Sequence, residues 1–128
     1  MAKETAKDVK KKILVVDDDQ TIVKVIKNIL TAEGYDVAIA YDGIDALVQV
    51  KEYKPDLIVL DIMMPELNGY DVCHKIKFDS PYKNIPIVII TSRDQEIDPR
   101  IGQMMGIGYL QKPLNRDVFL SLIKKTLK

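Results

Sequence analysis

Runs of consecutive apolar residues recur along the chain, and each is short and bounded by polar residues. The clearest runs are Ile13 to Val16, Leu57 to Leu60 and Ile87 to Ile90, and weaker ones are Val37 to Ala40 and Gly108 to Gln111. Apolar runs without alternation are typical of strands buried on both faces of a parallel sheet. The pattern therefore predicts a strand at each of these places.

The segments between the runs carry apolar residues at helical spacing. The first segment is followed by Gly34 as a stop signal, Asp42 is placed to cap the second with Asp45 as in a capping box, and Asn115 is placed to cap the last. Pro55 ends the second segment. The first helical stripe comprises Ile22, Val25, Ile26, Ile29 and Leu30. The second helix carries Ile44, Leu47 and Val48, and the last is predicted to turn inward Val118, Phe119, Leu122, Ile123 and Leu127.

The two remaining connections are also predicted to contain helices. A turn over Pro65 to Gly69 precedes a helix with Val72, Cys73 and Ile76 inward. Between the fourth and fifth strands, Ile97, Ile101, Met104 and Met105 could form one stripe of a helix that starts near Asp98. Because Pro99 suits only a first turn and Gly102 weakens the interior, that helix is predicted to be short or mobile.

Strict alternation of strands and helices predicts an α/β fold, a doubly wound five-stranded parallel sheet with helices on both faces, (βα)5. At 128 residues, the chain is long enough for one hydrophobic core. We expect a charged, flexible leader over residues 1–11 and one domain over residues 12–128, with no second domain.

Composition and charge narrow the class of protein further. Lys and Arg number 19 and Asp and Glu also number 19, so no net field favours nucleic acid, and direct nucleic-acid binding is not expected. No apolar stretch has membrane-spanning length. The single cysteine, Cys73, can form no internal disulfide, and no apolar run follows the charged N-terminal residues as in a signal peptide. We therefore expect a cytoplasmic protein.

Candidate functional residues stand directly after the strands, where ligands of open parallel sheets bind, beyond the carboxyl ends of the strands. The first strand leads into Asp17, Asp18 and Asp19, and the others lead to Asp61, Thr91 and Lys112. Carboxylates gathered there repel one another unless a cation lies among them, and an open oxygen site with waters and a phosphate suits Mg2+. A carboxylate could then act as a nucleophile toward phosphorus, with a hydroxyl and an ammonium group to hold the phosphoryl oxygens. Each residue taken alone could instead be a helix cap or a turn residue, but the joint occurrence favours the site.

Four motifs resemble the receiver domains of two-component response regulators. They are ILVVDDD at 13–19, LIVLDIMMPELNGYD at 57–71, PIVIITS at 86–92 and YLQKP at 109–113. The resemblance implies the flavodoxin-like strand order 2-1-3-4-5. It implies that Asp61 is the phosphoacceptor, and that Asp17, Asp18, Asp61 and the backbone carbonyl of Met63 hold Mg2+. Asp19 is expected to serve only as a helix cap.

The resemblance also implies a switch and a set of partners. Thr91 and Lys112 would hold the phosphoryl group, and Tyr109 would report the state through its rotamer. The donor would be a phosphohistidine on a sensor histidine kinase or a histidine phosphotransfer protein, and the acyl phosphate would then hydrolyse. The domain would catalyse only its own phosphorylation and dephosphorylation, and is not expected to be an enzyme in the ordinary sense. Its output would be a downstream target protein of unknown identity, contacted by a monomer, with dimerisation on phosphorylation left open.

Three other classes of protein are alternatives to a receiver domain. A phosphohydrolase with an aspartate nucleophile would need a second carboxylate at position 63, which is Met63. A flavin carrier would need a phosphate-binding loop after the first strand, where three aspartates would repel phosphate. The alternative that stays open is a phosphate-independent binding module with the same fold. Whether the chain is part of a longer regulator is also open.

Overall fold

Five parallel strands form one sheet at the centre of the protein. The structure is a computed structural model, and it describes residues 10–61, 74–76, 82–91, 109–111 and 115–127. The strand order is β2-β1-β3-β4-β5, so β1 and β3 occupy the middle of the sheet. The strands are β1 (Lys12–Val16), β2 (Asp36–Ala40), β3 (Leu57–Asp61), β4 (Ile87–Thr91) and β5 (Tyr109–Gln111). The predicted fold class and strand order are confirmed.

Helices cover both faces of this sheet. They are α1 (Gln20–Ala32), α2 (Gly43–Tyr53) and α3 (Arg116–Leu127), with a 3-10 turn at Tyr82–Asn84, and residues 74–76 are also helical. The apolar runs supply both cores, because successive strand residues point to opposite faces. One face packs against α1 and α3 through Val23, Ile26, Leu30, Phe119, Leu120 and Ile123. The other packs against Ala46, Val50 and Ile76.

Each described helix begins at a capping side chain that the sequence predicts. The Asp19 carboxylate accepts from the backbone N–H groups at positions 21 and 22, at 2.9 and 3.3 Å. The Asp42 carboxylate accepts from the Asp45 N–H at 2.7 Å, and the Asn115 amide oxygen accepts from the N–H of residue 118 at 3.1 Å. At the end of α1, Gly34 takes a φ of 91°, the left-handed conformation in which glycine is least strained. These caps satisfy backbone donors that a helix leaves without partners.

The amino-terminal edge of the sheet is held by contacts between β1 and the end of α2. The Lys12 N–H donates to the Asp56 carboxylate at 2.7 Å, and the Lys12 ammonium group lies 5.3 Å from the centroid of the Tyr53 ring. That separation is short enough for a cation–π interaction. The Tyr53 hydroxyl is buried, and this burial, followed by the nearby Asp36 and Asp56 carboxylates, raises the pKa of Tyr53.

The faces of the helices differ from the sequence prediction at several positions. Val118 was predicted to point inward, but it is 52% exposed, and Leu120 is buried instead. The reason is the phase of the helix: Phe119, Leu120 and Ile123 share one side, and residue 118 lies on the opposite side. Val25 is likewise 49% exposed, while Val23 is buried.

The second helix also exposes two of the apolar residues that the sequence places in its stripe. Its large apolar residues Ile44 and Val48 are 56% and 44% exposed, and the helix faces the sheet through Gly43, Ala46 and Val50. The predicted residue Leu47 also packs against this core. Positions 43, 46, 47 and 50 share one side of the helix, so its phase leaves Ile44 and Val48 on the exposed side.

Some predictions fall outside the described residues. These are the leader before residue 10, the turn at Pro65 to Gly69, the inward positions Val72 and Cys73, and the helix expected after Asp98. Ile76 is buried as predicted. Among the residues that the structure describes, no helix combines the length and the apolar character needed to span a membrane.

Candidate functional site

Three aspartates meet at the carboxyl edge of the sheet. Asp17 directly follows β1 and Asp61 is the last residue of β3, and the parallel register pairs Val16 with Leu60, so the two aspartates lie side by side. Asp18 comes next along the loop. One carboxylate oxygen from each of Asp17, Asp18 and Asp61 lies within 4.8 Å of the other two. The predicted convergence of these strand ends is confirmed for the described residues.

The loop after β1 fixes its aspartates through backbone hydrogen bonds. The Asp17 carboxylate accepts from the Asp19 N–H at 3.0 Å, and the Asp17 N–H donates to the Ala40 carbonyl at 3.1 Å. Asp19 itself points back to cap α1, which is the role expected for it. Of the three aspartates that follow β1, Asp17 and Asp18 therefore belong to the cluster, and Asp19 caps the helix.

Sequence reasoning missed the part that β2 takes in this arrangement. No side chain of β2 was assigned to the site, yet the Ala40 carbonyl holds the backbone of Asp17 in position. A backbone acceptor leaves no signal in the residue type. Only the pairing of β1 with β2, residue by residue from Lys12 with Asp36 to Val16 with Ala40, reveals this contact.

Burial makes the cluster costly without a counterion. Asp17 is fully buried and Asp61 is 4% exposed, whereas Asp18 is exposed to solvent. Gathering negative charge in a poorly hydrated place is unfavourable unless positive charge balances it. An all-oxygen donor set with one side open to water fits Mg2+, which keeps several of its waters and takes one or two carboxylates. The residues present therefore fit a magnesium site.

The other predicted site residues are described only in part or not at all. The backbone of Thr91 ends β4, one residue beyond the partner of Asp61 in the sheet, and Thr91 is paired with Gln111 of β5. Thr91 therefore belongs to the strand next to β3, and Tyr109 belongs to the edge strand beyond it. The side chains of Thr91 and Tyr109, together with Met63 and Lys112, lie outside the described residues.

The fold and the acidic cluster together define an α/β protein whose carboxyl sheet edge carries three aspartates that could hold a metal ion. The family model of the response regulator receiver domain matches residues 13–124. The chain therefore belongs to the response regulator receiver domain family, whose members are signalling modules of two-component systems that interact with histidine kinases and downstream targets.

Individual relatives agree with this assignment. The chain is 39% identical to protein PilG of Pseudomonas aeruginosa over 114 residues, which covers 88% of this chain and 84% of PilG. It is 36% identical to the DNA-binding response regulator MtrA of Mycobacterium tuberculosis over 120 residues, and the matched part spans 51% of MtrA. The crystallised chemotaxis protein CheY4 of Vibrio cholerae superposes with a TM-score of 0.84 at 29% identity, covering 93% of this chain and 100% of that one.

Proposed function

We propose that this protein is a phosphoacceptor switch of a two-component phosphorelay, in which Asp61 receives a phosphoryl group while Asp17 and Asp18 hold Mg2+ beside it. The observation that carries the proposal is the approach of the three carboxylates to within 4.8 Å at the ends of β1 and β3. Membership of the receiver family supports a signalling role for that cluster.

Among the three aspartates, Asp61 is the best candidate for the nucleophile. It is the only one carried by a strand, and that strand lies at the middle of the sheet, so its carboxylate is held more rigidly than a loop side chain. Like the fully buried Asp17, it is nearly excluded from solvent, with 4% exposure, which leaves little bulk water around the attacking oxygen. Preorganisation and partial exclusion of water both favour attack on phosphorus.

The proposed reaction moves one phosphoryl group between two side chains. A carboxylate oxygen of Asp61 forms a bond to phosphorus, the bond from phosphorus to a histidine nitrogen of the donor breaks, and that nitrogen takes up a proton. Mg2+, when bound, would offset the negative charge of the phosphoryl oxygens and the carboxylates. Water later cleaves the acyl phosphate and restores Asp61. The domain thus acts on itself alone.

The remaining residues of the proposed site rest on the family resemblance. Thr91 and Lys112 would donate to the phosphoryl oxygens, the Met63 carbonyl would complete the metal ligands, and Tyr109 would change its rotamer with the state of the switch. The donor would be a sensor histidine kinase or a histidine phosphotransfer protein in the cytoplasm, and the output would be a contact between the monomer and another protein. The position of Thr91 at the end of β4, beside the cluster, supports its part in this set.

The decisive test is the intact mass of the protein after incubation with acetyl phosphate. We expect one added phosphoryl group when Mg2+ is present, none after chelation, and none in Asp61→Asn. Asp56→Asn is a matched control, because Asp56 is an exposed aspartate that precedes the same strand at its other end; it should accept the group as the native protein does. Absence of an adduct in the folded native protein would favour the phosphate-independent binding module instead.

A further inference from the structure

A groove runs along one side of α1, next to the outer edge of the sheet. Its volume is about 580 Å³, within the range of ligand-binding clefts. The floor is apolar, formed by the buried Val23 and the half-buried Ile39, and Tyr41 stands at the end of β2 with 45% of its surface exposed. The rim is polar and consists of Gln20, Thr21, Lys24, Lys27 and Asn28.

The charge of this groove has one sign. Lys24 and Lys27 are exposed and the lining contains no acidic residue. Within the described part of the chain, neither lysine takes part in a salt bridge, whereas Lys124 and Arg116 both pair with Glu33. Lys24 and Lys27 place two positive charges beside the apolar floor, while Asp18, Asp19 and Asp42 adjoin the other end of the groove at Gln20 and Tyr41. The two lysines complement an acidic partner that lies along their part of α1.

The shape of the groove favours a chain segment over a compact ligand. The lining follows α1 from Gln20 to Asn28. At about 1.5 Å per residue, this stretch of helix is about 12 Å long. An extended segment of about four residues has the same length. β2 is also the edge strand of the sheet, and among the described strands it pairs only with β1, which leaves its outer side as a possible place for an incoming segment.

We propose that this groove, lined by α1 and the end of β2, is a docking site for a short acidic segment of another protein that places one apolar side chain over Ile39 and Tyr41. The acidic residues of the segment would lie beside Lys24 and Lys27. The groove adjoins the acidic cluster at its Gln20 and Tyr41 end but shares no lining residue with it. The proposal concerns the unphosphorylated protein and does not rest on the function proposed above.

The test is selection of peptides from a random displayed library against the full unphosphorylated chain in Mg2+-free buffer. We expect enriched peptides to carry acidic residues around one aromatic or aliphatic residue. One such peptide, titrated into the nitrogen-15-labelled protein, should shift the amide signals of residues 20–28 and 39–41. Enrichment of neutral or basic peptides, no enrichment above background, or shifts elsewhere on the protein would overturn the proposal.

Charge variants show whether the lysines recognise the peptide. Lys24→Glu combined with Lys27→Glu should weaken binding about tenfold or more, because rim attraction becomes repulsion. Lys51→Glu with Lys125→Glu makes the same net change at exposed positions outside the groove and should alter the dissociation constant less than about threefold. Tyr41→Ser should weaken binding without a change of charge. Equal losses of peptide affinity in the two charge variants would refute recognition by the groove. Two other results would also refute it: anionic phospholipid vesicles that bind as tightly as the peptide, or self-association of the native protein that the groove variant loses.

Discussion

Replacing Asp18 by asparagine removes one charge from the acidic cluster and keeps the size of the side chain. Without a divalent cation, Asp18 repels Asp17 and Asp61, whose carboxylate oxygens lie within 4.8 Å. At this separation, a pair of unit charges costs about 1 kcal/mol in bulk water and about 3.5 kcal/mol at an effective dielectric constant of about 20. Because Asp18 is exposed, water screens both repulsions and the lower figure applies. We therefore expect Asp18→Asn to raise the free energy of unfolding by about 1 to 2 kcal/mol in metal-free buffer.

Mg2+ should reverse the order of stability, so that the native protein becomes more stable than Asp18→Asn. For a domain of this length, a gain of about 1 kcal/mol raises Tm by about 3 to 6 °C. A ligand that binds only the folded state adds about 2.7 kcal/mol at a hundred times its dissociation constant. The native protein should receive this gain at a lower Mg2+ concentration than Asp18→Asn, which has lost one ligand. The Tm of the native protein, followed by thermal unfolding across a Mg2+ titration, should start below that of the variant and end above it.

Asp19→Asn is the control for this experiment. It removes the same charge one residue further along the chain, yet Asp19 caps α1 and asparagine caps nearly as well. Its Mg2+-dependent gain should equal that of the native protein. The reasoning is refuted if Asp18→Asn unfolds at a lower temperature than the native protein in metal-free buffer, or if both variants gain equally from Mg2+.

Three further perturbations test contacts away from the cluster. Asn115→Ala should lower the free energy of unfolding by about 1 kcal/mol, since α3 loses its cap, while Asn115→Asp should not; equal losses in urea denaturation would contradict this. Glu33→Gln should cost about 0.5 to 1 kcal/mol at low salt, because Glu33 joins α1 to two basic residues of α3, and a loss that is unchanged in 1 M salt would rule out the ionic cause. Burial raises the pKa of Tyr53 above 10.0, so its contribution to stability is present below pH 10.0 and lost as the pH rises further. Tyr53→Phe should therefore lose less stability than the native protein above that pH, and an identical slope in denaturation at a series of pH values would exclude this role.

The site was predictable because it depends on where strands end, and strand ends are visible in the sequence. A run such as Leu57 to Leu60 must stop where the chain meets solvent, and in a parallel sheet all such ends meet at one edge. Asp17, Asp18 and Asp61 could therefore be brought together without knowledge of any side-chain contact. The hydrogen bond from Asp17 to the Ala40 carbonyl could not, because a backbone acceptor is the same in every residue.

The buried faces of the helices were less predictable, and the reason is geometric. A strand in the middle of the sheet is buried on both sides, so an apolar run predicts it whichever face each side chain points to. A helix is buried on one side only, and a stripe of large apolar residues sets that side only when the neighbouring surface accepts them. In α2 the face toward the sheet combines Gly43 and Ala46, whose short side chains carry a weak hydrophobic signal, with Val50 and the half-buried Leu47. Ile44 and Val48 lie on the other side of the helix and remain exposed.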